Sequence, residues 1–273
     1  MTDDINDTQK HLERVNRSGF PLQIGLEYLL QKNPGRRHWH SLVSEYPWNY
    51  EESKTNGFID LVIEDIHQVG IMVIECKRVR DTEWIFLIPP GEESRTHTNA
   101  WVSWKKSPEA RRIFDWHDIQ TEPNSPEAAF CIVAGQDAKS RPMLEKVASQ
   151  LIDATEALAR EEMQIYQLHG KEFWSARTYF PTIITTAELK VCKFDLAKID
   201  IDNGDLLDAE FVTVPFLRFR KAFSIRASKL LSAGNIAHVS TASERTVYVV
   251  NSSSFESFLS QWDLPVNSLN SLR

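Results

Sequence analysis

Apolar positions recur along this chain with two different periods, and the switches between them mark its elements. From Phe20, Leu22, Leu26, Leu29 and Leu30 form a stripe at helical spacing, with Pro21 suited to the first turn and Asn33-Pro34-Gly35 ending it. Residues 40–48 predict a strand, and 56–65 (NGFIDLVIED) and 69–77 (VGIMVIECK) predict two stronger ones rich in Ile and Val. The segment 80–126 mixes tryptophans with polar loops and reads as an insertion of short strands or a helix. A buried strand follows at 128–135.

Leu144, Val147, Leu151, Ala154 and Leu158 then predict a long helix over 142–168. Residues 179–195 give a strand pair or one long bent strand. The acidic, turn-rich 200–208 marks a boundary, beyond which 211–223 and 245–250 read as strands and 252–262 as a capped helix. Residues 1–17 are polar and expected to be a flexible, frayed terminus, and the last ten residues are expected to be loosely held. The order α-β-β-β-(insertion)-β-α-β implies an α/β or α+β fold with a mixed central sheet flanked by helices. It predicts a core over 18–200 and a C-terminal α/β extension over 205–273 packed on that core.

Composition narrows the function classes. No apolar run approaches the length of a membrane span, and the N-terminal residues lack the apolar stretch of a signal peptide, so a cytoplasmic protein is expected, with no membrane partner. The three cysteines, Cys76, Cys131 and Cys192, are far apart and sit in or beside apolar runs, which argues against both a disulfide framework and a zinc ribbon. No Gly-rich phosphate loop and no nucleophile-elbow serine occurs. The net charge of −7 runs against a general affinity for phosphates, although a local basic groove would override the total.

The candidate chemistry lies in the two strongest strands. Asp60 interrupts one, and Glu75 and Lys77 end the other. An ionised carboxylate in such a place is costly unless it is paired or binds a metal. If the chain reverses about His67-Gln68, residues whose numbers sum to 135 face each other, so that Val62 opposes Val73 and Asp60 opposes Glu75. Glu75 and Lys77 then share a face while Cys76 points the other way. Two opposed carboxylates repel unless a cation lies between them, and a hard divalent ion such as Mg2+, with Mn2+ as a substitute, takes such oxygen ligands.

Ile59-Asp60, followed after fourteen residues by Glu75-Cys76-Lys77, resembles the PD-(D/E)xK motif of restriction-endonuclease-like nucleases, with Ile59 in place of the motif's proline. The resemblance covers about residues 20–77 closely, extends loosely to about 195, and does not reach the C-terminal quarter. It implies a restriction-endonuclease-like core with the extra segment inserted after the metal-binding hairpin. Asp60 and Glu75 would be metal ligands, the backbone carbonyl of Cys76 a further ligand, and Lys77 the group that assists the attacking water. It also implies a helix glutamate, for which Glu27 fits, and a homodimer acting on nucleic acid, DNA in the first instance, as an endonuclease.

Two alternatives remain beside this reading. Glu75 and Lys77 can mark a frayed strand end with Asp60 bonded to a nearby amide, and a nuclease-like fold can be kept as an inactive module that binds nucleic acid or a protein. Arg36, Arg37, Arg78, Lys105 and Lys106 are the candidate phosphate contacts, joined by Arg80, Arg111 and Arg112. Trp84, Trp101, Trp104 and Trp116 lie among the later ones, where they could stack bases; singly, each is better explained as capping a small core. Arg218 and Arg220 share a strand face, as a phosphate rail or a solvated face. His38 and His40 read as surface histidines, and Gln150 as a solvated or capping residue of the second helix.

Overall fold

The computed structural model describes residues 2–32, 38–80, 82–105, 112–135, 142–168, 176–223 and 234–270. Helices α1 (Thr2–Arg17) and α2 (Phe20–Lys32) lead into strands β1 (Trp39–Tyr50), β2 (Thr55–Asp65) and β3 (Gly70–Lys77). Then come β4 (Glu83–Ile88), β5 (Arg95–Trp104), β6 (Ile113–Ser125), β7 (Glu127–Ala128) and β8 (Phe130–Val133). Helix α3 (Met143–Leu168) precedes β9 (Arg177–Thr185), β10 (Glu188–Lys193), β11 (Glu210–Thr213) and β12 (Phe216–Ala222). The chain closes with α4 (Ile236–Ala242), β13 (Glu244–Asn251), α5 (Phe255–Gln261) and α6 (Val266–Asn270).

The fold is α+β with a mixed central sheet flanked by helices. The sheet runs β1-β2-β3-β9-β13-β12-β7, and β5, paired to β6, joins it at β9. β3 and β9 are parallel. On its other edge β9 is shared: β5 pairs with Arg177–Tyr179 and β13 with Thr182–Thr185. A smaller sheet, β11-β10-β4-β8, lies beside it. Its inward side chains Trp84, Phe86, Leu189 and Val191 join the apolar face of α3 in a core that also takes Ile71 and Val73 from β3. The intervening Met72 and Ile74 face the other way, as period-2 alternation requires, and pack with Leu26 and Leu30 of α2 and Phe255, Phe258 and Leu259 of α5.

Several expectations change here. Residues 2–17 form α1 rather than a frayed end, supported by pairs such as Lys10–Asp7 at 3.6 Å and by Arg14 and Arg17 in its last turn. The segment 80–126 is not an appended insertion, since β4 founds the second sheet and β5 extends the first. Residues 205–273 are not an extension on a finished core, because β12 and β13 are interior strands of the main sheet. The last described residues are held as well: buried Ser268 donates its hydroxyl to Gln120 O at 2.7 Å.

Buried charges tie the layers together. Arg177 of β9 pairs with Glu64 of β2 and Glu162 of α3, and Tyr179 donates to Glu162. Glu156, fully buried on α3, accepts from Tyr50 (2.8 Å), Trp116 Nε1 (3.0 Å) and Arg160 (2.6 Å).

Candidate active site at the fork between β2 and β3

Hairpin register decides what Asp60, Glu75 and Lys77 can do together. Val62 opposes Val73 and Leu61 opposes Ile74, so the paired residues sum to 135. The reversal runs through 66–69, with Gln68 at φ 58 and Asp65 accepting the amides of Val69 (3.0 Å) and Gly70 (2.9 Å). The ladder ends at Leu61–Ile74, one pair short of Asp60 and Glu75. Beyond it β2 stays with β1 (Ile59 opposite Tyr46), while β3 stays with β9 (Glu75, Cys76 and Lys77 opposite Ile183, Ile184 and Thr185). The strands therefore part, and Asp60 stands at the fork rather than in a regular pair with Glu75.

Asp60 bridges the opening. Its Oδ2 accepts the N–H of Cys76 at 2.6 Å, and the carboxylate also takes a side-chain hydrogen bond from the Cys76 thiol. Burial pushes the Asp60 carboxyl up to about 6, and the negative charge of Glu75 pushes the same way. The Cys76 amide and the Lys77 ammonium oppose that rise, and Glu45 adds to it. Lys77 Nζ is bonded to Glu75 Oε1. Cys76 packs on the α2–α5 side of the sheet, and burial holds its thiol far above its usual range.

The helix residue that reaches the fork is Gln23, not Glu27. Gln23 is buried, and its amide donates to the carbonyl of Asp60 (2.8 Å) and to Glu45 Oε1 (2.7 Å). Glu27, one turn later, is half-buried, and no contact joins it to Asp60, Glu75 or Lys77 among the described residues. A glutamine is suited to this place because one amide group donates to a carboxylate and a carbonyl together. Glu45 itself lies between Ser44 and Tyr46, which oppose Leu61 and Ile59, and it adopts φ 52. Sequence reasoning missed both residues. A glutamine just before Leu26 on the apolar side of α2 was the available signal; the left-handed turn at Glu45 had none.

Several candidates fall away from the fork. Trp84, Trp101 and Trp116 are buried in the core, and Trp104 packs against its α2 side, so none of the buried three offers a stacking face. Arg218 is fully buried, bonded to Thr98, Ser125, Thr121 and the Pro123 carbonyl, and Arg220 is paired with Asp118 and Glu244, so neither forms a phosphate rail. His40 lies 3.3 Å from Glu64. Arg78 and Lys105 are half-buried at strand ends; Arg36, Arg37, Lys106 and Arg111 lie outside the described residues. Gln150 of α3 shares with Glu75 and Trp48 the lining of a small cavity of about 100 Å3.

Metal fit can be judged from the donors. No group of three or more His, Cys, Asp or Glu side chains converges on one point among the described residues, which excludes a zinc-type cage there. Mg2+ asks less of the protein: one or two carboxylates, with waters completing the shell. The carboxylates of Asp60, bonded to the amide and thiol of Cys76, and of Glu75, bonded to Lys77 through Oε1, are donors of that kind. No helix in the described residues is long and apolar enough to cross a membrane. Comparison of the chain with models of protein families, with curated proteins and with solved structures finds no match.

Proposed function

We propose that this chain is a Mg2+-dependent phosphodiesterase acting on nucleic acid, DNA in the first instance, as an endonuclease of the restriction-endonuclease-like kind. The observation that supports this reading is the fork: the half-buried carboxylate of Asp60 is anchored on Cys76 and feels the charges of both Glu75 and Lys77. The amide bond alone would account for a structural aspartate. It does not account for the second acid and the amine brought beside it at such electrostatic cost.

In this reading Asp60 and Glu75 hold the ion, which when bound supplies a polarised phosphate and an acidified water. Lys77, held beside Glu75, positions the water or stabilises charge developing on the phosphate. Gln23 keeps the Asp60 backbone and Glu45 in place. The chain would work in the cytoplasm, and a homodimer would allow both strands to be cut. The test is incubation with supercoiled DNA, linear duplex, single-stranded DNA and RNA, with Mg2+, Mn2+ or EDTA.

A specific observation favours the second reading, an inactive nuclease-like module. The chain carries a net charge of −7, and three of the tryptophans and both strand arginines that could have served a nucleic-acid surface are buried or paired. Binding of DNA without cleavage under every metal condition would select it.

A further inference from the structure

A cleft of about 510 Å3 opens between the two sheets, away from the fork, with Glu127 of β7 in its wall. Its volume lies in the range of small-molecule sites. The charges around it are almost all accounted for. Arg95 is paired with Glu92. Arg220 is paired with Asp118 at 2.9 Å and with Glu244 at 2.8 Å. Lys221, over the Phe130 ring at 5.2 Å, is paired with Glu145. The Glu127 carboxylate has neither a hydrogen bond nor an ion pair among the described residues. Burial holds its pKa above the ordinary glutamate value, against the longer-range pull of Arg220, Arg95 and Arg218.

Glu127 is therefore a partly desolvated carboxylate without a direct partner among the described residues. Beside it lie apolar walls from Pro89, Ala129 and Phe130, the last 61% exposed. A carboxylate in such a place is relieved by a cation whose donors match its two oxygens, the geometry of a guanidinium or amidinium. We propose that this cleft binds a small organic cation with a planar guanidinium or amidinium head and an apolar body, the head on Glu127 and the body against Phe130 and Pro89. This site is independent of the nuclease reading and shares no residue with the fork.

Benzamidine is the probe, with benzamide as its neutral isostere, and binding is followed by calorimetry or ligand-observed NMR on the full chain. Benzamidine is expected to bind, benzamide to bind at least tenfold more weakly, and Glu127→Gln to lose benzamidine by a similar factor. Asp60→Asn is expected to leave that affinity unchanged. Ala129→Trp fills the cleft without altering a charge and is expected to abolish binding, which keeps the test intact where Glu127→Gln does not fold. The proposal is overturned by no benzamidine binding to the wild type, by equal binding of benzamide, or by binding that survives both Glu127→Gln and Ala129→Trp.

Discussion

Asp60 accepts the backbone N–H of Cys76 at 2.6 Å across the point where their two strands part. That bond fixes the carboxylate on the strand that carries Glu75 and Lys77. A side chain held this way is already ordered, so ligand binding would not bear the cost of ordering it.

The raised pKa of Asp60 sets a pH dependence opposite in sign to that of a salt-bridged aspartate. The folded protein holds the proton up to about 6, whereas the unfolded chain releases it at 3.8. Between those values stability falls as pH rises; the cost is complete above the upper value and absent below the lower one. Asp60→Asn keeps an acceptor for the Cys76 amide and removes the charge. In urea unfolding with EDTA, the variant is expected to be about 2 kcal/mol more stable than wild type at pH 8 and level with it near pH 4. No gain at pH 8 would count against the strained carboxylate.

Metal should narrow that gap. If Asp60 and Glu75 hold Mg2+, the ion stabilises the folded wild type in proportion to its saturation, about 1.4 kcal/mol at ten times the dissociation constant. Thermal unfolding with increasing Mg2+ is expected to raise Tm for wild type and to leave Asp60→Asn unmoved. Equal shifts in both would place the ion elsewhere.

Gln23 makes a separate prediction. Gln23→Ala removes both donors from Asp60 O and Glu45 and is expected to cost about 1–3 kcal/mol. Gln23→Glu sets a second acid beside Glu45, so its loss should be larger at pH 8 than at pH 4. A loss independent of pH would mean that packing alone is at stake.

Arg218 separates a structural from a nucleic-acid role. Its guanidinium is fully buried among Thr98, Thr121, Ser125 and the Tyr248 ring, 5.3 Å away. Arg218→Ala is expected to cost about 3 kcal/mol or more, from the lost bonds and the void together. An arginine serving a phosphate rail would leave the urea midpoint unchanged.

What was legible in the chain follows from what is local. The helix stripes and the hairpin register depend on residues close in sequence, so Val62 opposite Val73 could be read from a reversal about His67-Gln68. The fork could not, because it arises where β3 pairs with Ile183–Thr185, more than a hundred residues away. The same non-locality hid the roles of β5, β12 and β13, which fill edges that only the long-range pairing of β9 creates. Trp101 and Trp116 were legible as core caps, but not their partners, since Arg160 over the Trp101 ring and Glu156, which takes the Trp116 indole N–H, sit on a distant helix. Glu45 was hidden by a left-handed residue inside a strand.

The most direct measurement is the rate of plasmid cleavage in Mg2+ by wild type, Asp60→Ala and Lys77→Ala, each checked for folding by circular dichroism. Wild-type cleavage that EDTA abolishes, and that falls at least a hundredfold (about 2.7 kcal/mol) in both variants, is the expected result. Cleavage that persists unchanged in both variants, or a folded wild type that cuts no nucleic acid with any divalent metal, would contradict the account.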